Sequence, residues 1–306
     1  MKQGAKKSLF GKLLLLAITI IWGSSFVILK DTLSEFSGGH FTFFVLATRF
    51  LFASLCFTLF SAKKLKAVGK EIVKIGFVLG IFLFLAYAFQ TVGLRYTTAS
   101  KNAFLTASYC IIVPFLVWIF SKKRPSAKNY VSAVVCLIGV AFIGLFDNYQ
   151  KGENELLGDG LSLFCGVFYA FQIYFNSRLL KDNDPILILM VECFTAGALF
   201  AVISGIYEFP AHIGEFSFSG EAVWKLAYLS LFATCLAQFG QLFGQKFVSP
   251  MVASLILSCE SVFGMLFDIL FGNANITVFI ILGFICIFSS IILNEVEIPK
   301  KLKKLN

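Results

Sequence analysis

Three ionisable residues interrupt long apolar runs: Arg49 in FFVLATRFLFA, Glu192 in ILMVECFTA and Glu260 in LILSCESVFGM. A charge in such surroundings is costly, and it is kept where it serves a pathway, carries a proton or pairs for structure. Polar residues at helical spacing run beside them. Thr98, Asn102, Thr106 and Tyr109 share one face of a helix, as do Thr234, Gln238, Gln241 and Gln245, and Tyr169, Gln172 and Asn176. Such groups either line a solute pathway or bond one helix to the next. They do not make a catalytic set, because no DxxD-type acid cluster and no Walker A loop occurs. His40 and His212 stand alone in polar connections. The eight cysteines all fall in apolar runs without a CxxC pair, which argues against zinc or disulfides. No metal and no cofactor is expected.

The elements that carry these residues belong in lipid. The chain has 306 residues, 58% of them hydrophobic and 14% charged, where a soluble domain is about a quarter charged. Apolar runs near 9–30, 41–61, 72–94, 99–120 and 128–146 are followed by others near 156–178, 186–206, 222–245, 250–271 and 276–294. Each is close to the roughly 20 residues that span a bilayer. An all-α integral membrane protein of about ten transmembrane helices follows. The basic N-terminus leads into the first run with no small-residue cleavage site behind it, so it reads as a retained span and not as a signal peptide.

The net charge of +9 is distributed as in a membrane protein, which excludes nucleic acid as the reason for it. Twenty of the 26 Lys and Arg residues lie on one side of the predicted spans, from Lys2 and Lys6 through Lys63, Lys123 and Lys181 to Lys300 and Lys304. That side is cytoplasmic by the positive-inside rule, so both termini are expected in the cytoplasm of a cell (inner or plasma) membrane. The acidic connections 147–159 and 207–221 are then external.

The chain also repeats itself. At an offset of 151, Gln90 falls on Gln241, Gly93 on Gly244, Tyr96 on Phe247 and Tyr109 on Glu260. At 147, Trp22-Gly23 falls on Tyr169-Ala170. Two five-helix halves are expected, 1–150 and 151–306, the second ending in a short basic tail. An odd number of spans per half inverts one half against the other, the usual basis of alternating access around a midplane site.

The stretches IIWGSSFVILK (20–30), ATRFLFA (47–53), LRYTTASKNAFLTASYCIIVPFL (94–116) and LSCESVFGMLF (257–267) resemble the drug/metabolite transporter superfamily. Within it the chain is similar to the ten-helix EamA type, with two EamA repeats. The resemblance covers nearly the whole chain. It implies transport of a small molecule, often export of a metabolite or amino acid, across the cytoplasmic membrane. Two positions depart from the pattern: Ser261 follows Glu260 where Pro is frequent, and Gly272-Asn273 stands where a Glu is usual.

The expected function is therefore a secondary transporter of a small metabolite, exporting it by alternating access. The alternative class is a polytopic membrane enzyme acting on a lipid or isoprenoid. Trp22, Gln90, Asn102, Thr106, Tyr109, Tyr169, Gln172, Gln238, Gln241 and Glu260 are the candidate pathway residues. Arg49, Glu192 and Glu260 are candidates for coupling or structural charge. Asn102, Thr106 and Tyr109 are expected to face one cavity opposite Glu260. Glu260 would take either a proton or a cationic group there, or bond its neighbours between helices. Arg49 and Glu192, at similar depths of corresponding helices, either pair or act separately. Asp268 is expected near the interface. Pro114 removes a backbone donor, so helix 4 is expected to bend near it. Gly76-xxx-Gly80 and Gly240-xxx-Gly244 are expected to allow close helix packing.

Overall fold

A computed structural model of the chain describes residues 2–36, 40–122, 124–145, 154–180, 183–217, 219–272 and 274–295. Most of the 147–159 connection, Lys123, Lys181, Asn273 and the basic tail from Lys300 lie outside these. Among the described residues there are no strands and ten principal helices: α1 Lys2–Glu35, α2 Thr42–Phe60, α3 Lys70–Leu94, α4 Ala99–Ser121, α5 Ala127–Leu145, α6 Glu155–Leu179, α7 Pro185–Ile203, α8 Gly220–Gln245, α9 Pro250–Leu270 and α10 Val278–Glu295. Eight are long and apolar enough to cross a membrane; α5 and α10 are shorter apolar helices. At 19 residues, α5 is about 28 Å long, close to the roughly 30 Å of a hydrocarbon core. Helix α1 begins earlier than its apolar run, because the basic segment before it is also helical. α7 continues through a π turn at Ser204–Glu208 into a short helix, Phe209–His212.

The helices pack in pairs that a two-fold exchange of the halves would preserve. α2 packs on α7 and α5 on α10. α1 on α9 matches α6 on α4, and α1 on α8 matches α6 on α3. Glycines set the closest approaches. A Cβ on Gly11 would lie 2.9 Å from the Gly244 carbonyl and 2.9 Å from Phe247 Cβ. One on Gly158 would lie 2.9 Å from the Gly93 carbonyl and 2.8 Å from Tyr96 Cβ. These are one contact made twice, at the offsets of 147 and 151 found in the sequence. Gly139 and Gly283 face each other in the same way where α5 meets α10. Gly76 and Gly80 admit Val191 and Thr195 of α7, and Gly240 and Gly244 admit Ile18 and Leu15 of α1.

The irregular steps are equally paired. Helix α4 breaks at Ala107-Ser108, where Cys110 N and Ile111 N reach back only three residues, to Ala107 O (3.0 Å) and Ser108 O (3.1 Å). Helix α9 breaks at Ser258, with Ser261 N on Ser258 O at 3.2 Å. The step in α4 precedes Pro114, and it recurs in α9 at Ser258, where no proline follows it, so the step itself does not require one. Both helices are capped alike: Thr98 Oγ1 accepts from Lys101 N, and Ser249 Oγ from Val252 N. Ser254, Ser258 and Ser261 turn their hydroxyls back to carbonyls of their own helix. α8 widens into a π-helix over Leu229–Leu236.

Candidate functional site

Between the halves lies a cavity of about 510 Å³ of empty space, counting the part open to solvent. Its apolar wall is Phe26, Leu29, Leu94, Ile173 and Leu257. Four aromatic residues with a polar edge line it too: Trp22, Tyr87, Tyr109 and Tyr169. The remaining groups are Ser25, Gln90, Gln241, Arg49 and Glu260. Seven helices contribute, from both halves.

The pseudo-two-fold axis runs through this site. Tyr109 donates to Glu260 Oε1 at 3.0 Å, and Gln238 Nε2 donates to the Tyr87 hydroxyl at 3.4 Å. Each pair is 151 residues apart, so each joins equivalent positions of the two halves. Gln90 and Gln241 are equivalent as well, and both reach the cavity. Trp22 and Tyr169, equivalent at 147, each bond the helix opposite: Trp22 Nε1 to Ala233 O at 3.0 Å, and the Tyr169 hydroxyl to Gln90 Oε1 at 2.8 Å. Ala233 lies in the π-helical stretch Leu229–Leu236.

Arg49 is 1% exposed. Its Nε donates to Thr234 Oγ1 at 3.0 Å, and its guanidinium lies 5.5 Å from the centre of the Tyr87 ring. Thr234 in turn donates to Leu229 O. Arg49 Nη1 has no hydrogen-bond partner within the protein. A buried donor of this kind needs an acceptor from elsewhere, water or solute. Arg49 and Glu192 do not pair. Glu192 Oε1 accepts from Gln172 Nε2 at 2.9 Å, and Gln172 Oε1 accepts from Gln241 Nε2 at 3.1 Å. Arg49 therefore belongs to the cavity, and Glu192 to a buried network one shell away.

Several candidates from the sequence stand behind the cavity instead of on it. Asn102 and Thr106 turn to α3 and α6. Asn102 Nδ2 donates to Gln90 O (3.0 Å) and Ser162 Oγ (2.6 Å), and Thr106 Oγ1 accepts from Gln90 Nε2 at 3.2 Å. Gln172 and Gln238 likewise hold Gln241 and Tyr87. The expectation that Asn102, Thr106 and Tyr109 face the cavity together is corrected to Tyr109 alone. The break at Ala107-Ser108 lies between that residue and the other two. Asp268 is buried in the protein, close enough to Lys30 for the two charges to interact. Sequence reasoning passed over Tyr87 and Ser25. Tyr87 lies three residues before Gln90 on one helical face, and this spacing was the available signal.

Ion pairs join helices at one end of the bundle. Lys101 of α4 meets Glu155 and Asp159 of α6, each at 2.6 Å, and Thr97 Oγ1 donates to Asp159 at 3.0 Å. Lys225 of α8 meets Asp31 and Glu35 of α1, and Glu221 at 2.8 Å.

The model of the EamA-like transporter family matches residues 9–145 and again 156–295. The chain belongs to the EamA-like transporter family. With it the chain belongs to the drug/metabolite transporter superfamily, and it is a multi-pass membrane protein. An uncharacterized transporter of Archaeoglobus fulgidus is 30% identical over 267 residues, 87% of this chain and 79% of that one. The uncharacterized transporter YoaV of Bacillus subtilis is 22% identical over 293 residues, 94% of this chain and 97% of its own. A crystal structure that is 13% identical superposes with a TM-score of 0.74, covering 95% of this chain and 96% of its own; it supports the fold alone. As an EamA transporter the chain acts on a small molecule within a lipid bilayer.

Proposed function

We propose that this EamA transporter is a secondary exporter of a small zwitterionic metabolite, such as an amino acid, working by alternating access of halves 1–150 and 151–306. The observation that carries the reading is the composition of the cavity. It presents one buried guanidinium with an unpartnered Nη1, one buried carboxylate, and four aromatic rings with polar edges. A solute carboxylate would satisfy Arg49, its ammonium group Glu260, and an apolar or aromatic side chain the surfaces of Trp22, Tyr87 and Tyr169. When no cation is bound, Glu260 would carry a proton, because an uncompensated carboxylate in that surrounding is costly. Release of one for the other couples substrate to proton. The Lys/Arg distribution orients the ion-paired end outward in the cell membrane, with both termini cytoplasmic. On this reading the ion pairs form the outer gate, which opens when they part.

The test is a comparison of metabolite pools in the medium of cells with and without the protein, followed by tracer flux in liposomes. The reading expects a zwitterion among the exported compounds. Liposomes that carry amino acids, amines and organic acids no faster than protein-free ones would refute it.

A further inference from the structure

The chain has two histidines, His40 and His212, which are 172 residues apart, and the fold brings them together. The expectation that each stands alone is corrected. His40 precedes α2, and His212 ends the short helix that continues α7. His40 Nδ1 lies 3.2 Å from His212 Nε2. On the far side of the second ring, Glu215 Oε2 is 3.3 Å from His212 Nδ1. The ligand atoms of all three residues lie within 4.8 Å of one another.

The surrounding packing makes this meeting a fixed one. Glu208 accepts from Phe43 N at 2.7 Å and from Phe44 N at 2.8 Å, capping the start of α2 from the other half of the chain. Phe41 packs edge-on against Phe209 at 5.3 Å and Phe216 at 4.8 Å. The connection before α2, which carries His40, and the one after α7, which carries His212, are thus docked on each other.

We propose that His40 and His212 bind a transition-metal dication of the zinc class, His40 through Nδ1 and His212 through Nε2. Two nitrogens on one tetrahedral zinc, at about 2.0–2.1 Å each, are about 3.3 Å apart, close to the spacing present. The Glu215 carboxylate, 3.3 Å from His212 Nδ1 though not hydrogen-bonded to it, lies on the side of the ring away from the metal, where a carboxylate can favour the tautomer protonated at Nδ1. That tautomer leaves the lone pair of His212 Nε2 free to ligate. Binding requires His40 to move its proton from Nδ1 to Nε2, and no net proton is lost. Water or a swing of Glu215 completes the coordination. Imidazole nitrogen with carboxylate suits zinc, copper or nickel and not magnesium. The other acidic group at this end, Asp31, Glu35 and Glu221, differs because the Lys225 amine occupies it. The bound metal would bridge the two halves outside the substrate cavity, so the site is independent of the transported solute.

The test uses the full chain in detergent, purified through a tag without histidine and stripped with EDTA. Zinc is titrated by calorimetry, and Cu(II) is read by electron paramagnetic resonance. One zinc per chain and a copper spectrum with nitrogen ligands are expected. His40→Ala and His212→Ala should weaken zinc binding at least tenfold, and Glu215→Gln about 10- to 100-fold. Magnesium should not compete. Wild-type protein that takes up no zinc overturns the proposal. So does zinc binding of unchanged strength in both histidine variants, or a copper spectrum without nitrogen.

Discussion

Replacing Gly11 or Gly158 by alanine should damage the protein to a similar degree, because the two positions make the same contact in the two halves. In each case the new Cβ would meet a backbone carbonyl at 2.9 Å and the Cβ of an aromatic residue at 2.8–2.9 Å. Ordinary contact begins at 3.4 Å, so the helices must separate by about 0.5 Å, and no rotamer change relieves a clash with backbone. Overpacking of this kind costs about 1–3 kcal/mol. Alanine's better helix propensity offsets up to about 1 kcal/mol of it. A net loss of up to about 2–3 kcal/mol remains, read as a fall of a few degrees in the Tm of detergent-purified protein. Gly160 is the control: it lies on the same helix as Gly158 with open space beside it, so Gly160→Ala should melt with or above wild type. If Gly11→Ala or Gly158→Ala melts with Gly160→Ala, the equivalence of the two contacts is wrong.

Three further outcomes follow from the same geometry. Asn102→Leu should cost about 1–3 kcal/mol by removing the buried amide's bonds to Ser162 Oγ and the Gln90 carbonyl, which tie α4 to α6 and α3, and thermal melting reads it directly. Asp184 lies outside the spans and caps α7 through Ile186 N. Burial raises its carboxyl, but the Lys64 amine and the Ile186 N–H lower it by more, so it is held below the usual carboxylate range. Its contribution is full at neutral pH and is lost as pH falls through that lowered value. Asp184→Ala should therefore cost about 0.5–2 kcal/mol at neutral pH and converge on wild type in acid, which melting at several pH values would show or deny. Cysteines replacing Gly214 and Gly69, both in open space at opposite ends, report the orientation. An impermeant maleimide should reach the first in intact cells and the second only after permeabilisation, and the reverse pattern would invert the topology.

The helices were legible because lipid imposes a length and a composition on each span. The repeat was legible at glycines and at Gln90, Gln241, Tyr109 and Glu260, where close backbone approach or a cavity restricts the side chain. The facing of polar residues was not. Asn102 and Thr106 share a helical stripe with Tyr109 in projection, but a tightened turn at Ala107-Ser108 intervenes, and serine and alanine carry no signal for it. The bond from Trp22 ends on Ala233, inside a π-helical stretch whose residues, LSLFATCL, read as ordinary helix. The meeting of His40 and His212 depends on how Phe41, Phe209 and Phe216 pack across the halves, which spacing along a chain cannot express.

The most direct test of the cavity as the site of binding and coupling is tracer flux in liposomes with and without an imposed pH gradient, wild type against Glu260→Gln. The substitution keeps the shape of the side chain and its contact with Tyr109 while removing the ionisable proton. The account predicts that wild-type flux responds to the gradient and that flux through Glu260→Gln does not. A variant with wild-type flux and a wild-type response to the gradient would contradict it.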